Sequence, residues 1–198
     1  EDLTAGELSR LMQAIEEETN IQAANFMRMA LFTGMRRGEL FKLQWDHIDF
    51  ERGFIEIVDP KGGVDQKIPL SESARRVLLS HEKTQESPFV FPGHNGKQRV
   101  DIKKQVNRIK ERAGLPKDFR ALHGLRHLYA SMLASSGQVD LYTLQRLLTH
   151  KSPQMTQRYA HLRDEALRKA SNLAGDIIGS IQAKGKNVVN LTDRKGTP

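Results

Sequence analysis

The chain has 198 residues, enough for one domain with its own core. Hydrophobic residues make up 38% and charged residues 28%, ordinary for a globular chain, and the absence of cysteine excludes disulfides, thiolate metal sites and a Cys nucleophile. Lys plus Arg outnumber Asp plus Glu by 31 to 24 and the isoelectric point is about 9.7, a balance that favours a polyanionic partner, nucleic acid first, although a solvated basic surface has the same charge.

Thr4-Ala5-Gly6-Glu7 reads as a capping box, with Leu3 and Leu8 placed to staple it; Leu8, Leu11, Met12 and Ile15 then recur at helical spacing. A second helix is predicted from about Ile21 to Phe32 and is broken at Thr33-Gly34. A short helix carrying Arg36, Glu39 and Leu40 follows. The period then changes. Ile48 and Phe50, and Phe54, Ile55, Ile57 and Val58, flank the turn Glu51-Arg52-Gly53, a hairpin signal. Pro60-Lys61-Gly62-Gly63 reads as a second turn before a third strand ending near Ile68-Pro69-Leu70, so a small three-stranded antiparallel sheet is expected.

Ser71 is placed to cap another helix, and residues 81–100 are rich in loop formers. Helices are predicted over about Asp101–Ala113, 123–136 (ended by Gly137) and 140–148, with one more starting at Ser152-Pro153. A last amphipathic helix, about 164–182, carries Leu167, Ala170, Ala174, Ile177 and Ile181. Residues 184–198 are polar and Gly/Lys-rich and are expected to form a flexible tail. The fold class is therefore α+β, mainly helical, with residues 1–183 as one domain. No apolar run approaches the roughly 18 residues of a membrane span. Glu1-Asp2-Leu3-Thr4 resembles no signal or transit peptide and reads as an internal cut from a longer chain.

Three segments carry chemistry. In Thr33-Gly34-Met35-Arg36-Arg37-Gly38-Glu39-Leu40, an Arg just after a Gly turn can point into a cleft, and Glu39, three residues on, can hold its guanidinium. Alone, that is a surface ion pair. In His123-Gly124-Leu125-Arg126-His127, His123 and Arg126 share a helical face. A zinc reading of the two histidines is poor, because Gly124 stands where a metalloprotease has Glu and Arg126 would sit beside the cation. The third segment is Leu147-Leu148-Thr149-His150, with Tyr159 nine residues later in Gln157-Arg158-Tyr159-Ala160-His161. A lone Tyr on a C-terminal helix is ordinarily packing, and with a free phenol pKa near 10 it needs help to act as a nucleophile.

In order and spacing these segments resemble the tyrosine recombinases, the phage-integrase family, from the Thr4 helix to about Leu162. The family pattern is Arg in a TGxRxxE segment, Lys on a hairpin, HxxR, then His or Trp, then Tyr; Arg36, Lys61, His123, Arg126, His150 and Tyr159 match it in that order. Two features depart from it. Thr149 stands where the residue before the second His is ordinarily Gly. On the hairpin Lys61 is the first candidate, 25 residues after Arg36, and Lys67 the second.

The resemblance implies the family's catalytic-domain fold and a site-specific recombinase that cleaves and rejoins double-stranded DNA with neither metal nor cofactor. Arg36 and Arg126 would neutralise the attacked phosphate through bidentate, charge-assisted hydrogen bonds, and His150 would add another. His123 would take the proton of Tyr159, which becomes a 3′-phosphotyrosine, and Lys61 would protonate the leaving 5′-oxygen. Phosphate contacts from Lys103, Lys104, Arg108 and Lys110 are expected on the helix after the loop, where a solvated face is the equal alternative.

The resemblance also implies other protomers as partners, with a tetramer on DNA and a monomer in isolation, a cytoplasmic setting, and an N-terminal DNA-binding domain outside this sequence. The stripe on the last helix would pack on a neighbouring protomer in such an assembly; in an isolated monomer it is expected to dock on its own domain. A type IB topoisomerase and a non-catalytic DNA-binding module of the same fold are the alternative functions.

Overall fold

In a computed structural model of the chain, residues 3–58, 65–84 and 86–188 are described, with backbone alone at 179 and 181–188. Helix α1 (Ala5–Glu16) begins at the expected capping box: the Thr4 hydroxyl accepts from the Glu7 amide, and the Glu7 carboxylate accepts from the Thr4 amide. Helix α2 (Ile21–Thr33) is buried along most of its length, so it reads apolar nearly all round rather than on one stripe. Phe26 at its centre packs edge-on against Phe91, with ring centroids 5.2 Å apart, and against Phe41 at 5.4 Å. Burying one such ring is worth roughly 2–3 kcal/mol.

Helix α2 ends at Gly34, whose φ of +64° is left-handed. A Cβ at Gly34 would lie 2.5 Å from the Tyr129 ring, so this glycine is demanded by the turn and by its neighbour. Helix α3 (Arg37–Lys42) follows at once and starts on Arg36.

The sheet is three-stranded and antiparallel as expected: β1 (Ile48–Asp49), β2 (Phe54–Ile57) and β3 (Gln66–Pro69), in that spatial order. Ile55 pairs with both Ile48 and Ile68, and those three side chains face the core with Ile57. The expected turn at Pro60–Gly63, and with it Lys61, lies outside the described residues. Lys67 pairs with Glu56 and is exposed.

Helix α4 (Glu72–Leu79) is capped by Ser71. Helix α5 (Lys103–Arg112) lies against α1, where the buried Glu18 carboxylate accepts hydrogen bonds from Arg108 and Arg112. Helix α6 (Ala121–Ser135) begins two residues before the predicted start, placing His123 in its first turn. A Cβ at Gly124 would meet the Phe119 ring at 2.3 Å, which explains the glycine between His123 and Arg126.

The remaining elements, α7 (Leu141–Leu147), the single turn α8 (Gln154–Gln157) and α9 (Ala160–Val188), pack on α6 around a separate small cluster of Ala130, Ala134, Leu144, Leu148 and Tyr159. Two expectations are corrected here. The last helix runs from Ala160 to Val188 rather than over about 164–182, so residues 184–188 are helical; residues 189–198 lie outside the described residues. Its apolar stripe also stays largely uncovered by the described residues of its own domain. Leu162 and Ala166 are half-buried, but Leu167, Ala170, Ala174 and Ile177 are exposed, Leu167 and Ile177 by about half; the Ile181 side chain lies outside the described residues. No described helix is long and apolar enough to cross a membrane.

Candidate active site

The site forms where the three left-over ends meet: the Gly34 turn, the first turns of α6, and the C-terminus of α7. Arg36 follows the left-handed Gly34, so its side chain turns back toward α6 and α7. Its Nη1 donates to Glu39 Oε1 at 2.8 Å, to Thr149 Oγ1 at 2.6 Å and to the Thr149 carbonyl at 3.3 Å. The Glu39 carboxylate also accepts from the Arg36 amide at 2.7 Å. Glu39 therefore holds Arg36 as the i, i+3 spacing predicts, but as a buried partner rather than a surface ion pair.

Arg126, in the second turn of α6, is 8% exposed. Nη1 donates to the Gly34 carbonyl at 2.6 Å, and Nη2 donates to the Leu148 carbonyl. A buried guanidinium needs such partners, and here they are backbone carbonyls from both sides of the cleft. Burial first, and then the Arg36 charge, bring Arg126 down to about 10. It stays charged at neutral pH. The mutual repulsion of the two guanidiniums is relieved when an anion binds between them.

His150 follows α7 and bonds through Nδ1 to Thr156 Oγ1 at 2.8 Å. Burial, then Arg126, Arg36 and Arg158, push its pKa down to about 4. It is a neutral imidazole at neutral pH, and where Thr156 donates to Nδ1, Nε2 carries the proton and can donate outward.

Tyr159 lies in the turn between α8 and α9. It is 5% exposed, and its phenol oxygen is 3.2 Å from Nδ1 of His127. The His127 ring packs edge-on against His123, with centroids 5.2 Å apart. His127 is thus a site residue that sequence reasoning passed over. Its i, i+4 spacing from His123 suggests only a metal pair, and nothing in that spacing reveals that Tyr159 folds back onto it.

Two adjoining cavities share Arg36, His123 and Arg126 in their walls. One, of about 580 Å³, is also lined by His127, His150, Arg158 and Tyr159. The other, of about 870 Å³, is also lined by Arg37, Lys103, Lys117 and Arg120, with Asp118 the one carboxylate among its described lining residues. Five of the six predicted site residues therefore meet at one cleft; the sixth, Lys61, lies outside the described residues. Lys67 lines neither cavity.

The expectation for α5 is corrected in part. Lys103 faces the cleft. Arg108 is occupied by Glu18; Lys110 lines the larger cavity beside Lys103 but is buried and donates to the Lys117 and Phe119 carbonyls at 2.6 and 3.0 Å, tying down the loop before α6.

Residues 1–166 match the model of the phage integrase family. The chain belongs to that family. Similar curated proteins include the tyrosine recombinase XerC of Corynebacterium glutamicum, 32% identical over an alignment of 177 residues, with 86% of this chain and 56% of that protein covered. The tyrosine recombinase XerA of Pyrococcus furiosus is 29% identical, with 89% of this chain and 64% of that protein covered. The chain thus spans under two thirds of the length of these relatives. Among solved structures, a XerA recombinase superposes with a TM-score of 0.70 at 24% identity, covering 88% of this chain and 63% of that one. A lambda integrase, crystallised as a tetramer bound to a Holliday junction, gives 0.63 at 24% identity, covering 82% of this chain and 48% of that one. Both have the family's catalytic-domain fold, and so does this chain.

Proposed function

We propose that this chain is the catalytic domain of a site-specific DNA recombinase, an integrase that cuts and rejoins DNA strands through a 3′-phosphotyrosyl intermediate. The observation that carries this reading is the convergence of two guanidiniums, Arg36 and Arg126, with His150 and the Tyr159 phenol on one basic cleft. Attack on a phosphodiester builds negative charge on the non-bridging oxygens, and two fixed guanidiniums with a neutral imidazole donor answer it.

Tyr159 attacks phosphorus, the P–O5′ bond breaks, and the tyrosine ends up linked to the 3′-phosphate. Its proton passes to the histidine pair, His123 and His127, of which His127 touches the phenol. Lys61 is the proposed acid for the 5′-oxygen, on the family resemblance. The 5′-hydroxyl of a second strand reverses the step, so the bond energy is conserved and no ATP is consumed. DNA of a bacterium or its mobile elements, in the cytoplasm, is the proposed substrate.

The exposed stripe of α9 fits a connector that packs on a neighbouring protomer when subunits assemble on DNA. A chain ending at Arg163 should then bind DNA singly yet build no higher-order complexes.

The core reading is tested with nicked suicide duplexes, which trap a covalent adduct on a denaturing gel. Wild type should form it, Tyr159→Phe should not, and Tyr129→Phe and Tyr142→Phe should behave as wild type. An undiminished adduct in Tyr159→Phe refutes the assignment.

A further inference from the structure

Thr149 occupies the residue after the α7 C-cap. Its amide donates to the Arg146 carbonyl at 3.1 Å, and the next amide, of His150, donates to the Gln145 carbonyl at 3.0 Å. That pair of bonds is a Schellman ending, which requires a left-handed residue in the middle. The φ of Thr149 is +51°, and a β-branched side chain is among the least suited to it. Glycine would build the same turn without strain.

What glycine lacks is the hydroxyl. The Thr149 side chain is enclosed, the residue being 3% exposed, and its Oγ1 has two partners. It accepts from Arg36 Nη1 at 2.6 Å and donates to Glu39 Oε1 at 3.2 Å. The hydroxyl sits on the Arg36–Glu39 pair as a third member, and it is anchored on a different element. Without it, Arg36 and Glu39 are held within their own turn and keep only the weaker link to the Thr149 carbonyl across the cleft. The same turn delivers His150 and, through the Leu148 carbonyl, engages Arg126.

We infer that Thr149 is a positioning residue for phosphate attack: its hydroxyl sets the Arg36 guanidinium against His150 and Arg126, and the strained turn is tolerated for that reason. This inference rests on the proposed cleavage activity, and it separates two properties that a purely structural residue would move together. Cleavage should follow the hydroxyl. Stability should follow the ease of adopting a positive φ.

The test compares Thr149→Ser, Thr149→Val and Thr149→Gly. Single-turnover adduct formation is measured on a pool of nicked duplexes randomised on both sides of the nick, with melting temperatures alongside. Thr149→Ser should cleave within about threefold of wild type. Thr149→Val and Thr149→Gly should both fall about tenfold or more, the scale of one hydrogen bond to a charged group. Thr149→Gly should nevertheless melt above Thr149→Val, by about 2–4 °C in a chain this size.

A Thr149→Gly variant that cleaves at the wild-type rate overturns the inference, as does a set of rates ranked by melting temperature. A second measurement needs no DNA. The Arg36 guanidinium protons, assigned by NMR, should give distinct signals in wild type and Thr149→Ser and averaged ones in Thr149→Val and Thr149→Gly. Distinct signals in Thr149→Val overturn the tether. Failure of wild type to form any adduct would refute the recombinase reading, and the NMR result would still decide the role of Thr149.

Discussion

The two arginines and the tyrosine sit on different foundations. Arg36 and Arg126 grow from the main core, where α2, α3 and α6 meet around Phe26, Leu40 and Leu125 and few apolar atoms reach water. Tyr159 and His150 belong to the α7–α9 layer, whose own buried set is the five-residue cluster of Ala130, Ala134, Leu144, Leu148 and Tyr159. The two arginines are thus mounted on the larger core, while Tyr159, the proposed nucleophile, and His150 rest on a thin layer with little burial behind it. Among the described residues, hydrogen bonds that join the halves run from Arg126 to the Leu148 carbonyl, between Thr149 and the Arg36–Glu39 pair, and between the Tyr159 phenol and His127 of α6. Groups on the thinner layer, the proposed nucleophile and His150, should be repositioned at a smaller free-energy cost than the two arginines.

The largest effect should come from cutting the arginine half. Arg126→Ala and Arg36→Ala should each slow single-turnover cleavage by about 10²–10³-fold, the usual loss for one oxyanion donor. Affinity for DNA, spread over many phosphates, should fall far less in gel shifts. Arg126→Ala should also lower the melting temperature more than Arg36→Ala, because it strips donors from the buried Gly34 and Leu148 carbonyls. Equal losses of binding and cleavage would show that the arginines hold DNA rather than the transition state.

The layers themselves can be separated by hydrogen exchange. Amides of α7 should open at lower free energy than those of α2 and the first half of α6. Leu148→Ala, with an expected cost of about 2–5 kcal/mol, should speed exchange in the C-terminal layer while α2 stays protected. Leu40→Ala should instead destabilise the whole chain. Uniform protection across both regions would erase the distinction drawn here.

A smaller effect is expected from acid. His150 is held near pKa 4 in the folded state, against about 6.5 for a free imidazole. The unfolded chain therefore takes up a proton more readily, and stability is lost as pH falls from about 6.5 through about 4. His81, also depressed by burial, contributes in the same direction, so the diagnostic is a comparison. Thermal melts of His150→Gln should decline less over this window than those of wild type. Parallel curves would mean that His150 does not sense the two arginines.

Much of the fold was legible because local rules agreed with the tertiary structure. The Thr4 capping box, the Gly34 stop and the hairpin register through Gly53 depend on neighbours only a few residues away. The last helix is harder to read for the opposite reason. Its apolar stripe says that something should cover Leu167 and Ile177, but only packing says what, and among the described residues both stay about half exposed. The α5 cations are hard to read for the same reason, since Arg108 and Lys110 find partners far along the chain, or in the next loop, that no helical wheel displays.

Residue order and spacing alone determined the family and the sheet and pointed to the candidate reactive groups, because the proposed recombinase chemistry needs particular side chains and those are written directly in the chain. Only the tertiary structure decided which groups touch. It placed His127 against the Tyr159 phenol, turned Glu39 into a buried partner, and gave Thr149 a hydroxyl bridge in a backbone conformation that its residue type disfavours. Such contacts join residues more than thirty and more than a hundred positions apart, and they are fixed by how α6 and α7 pack together, a property of the whole core rather than of any segment.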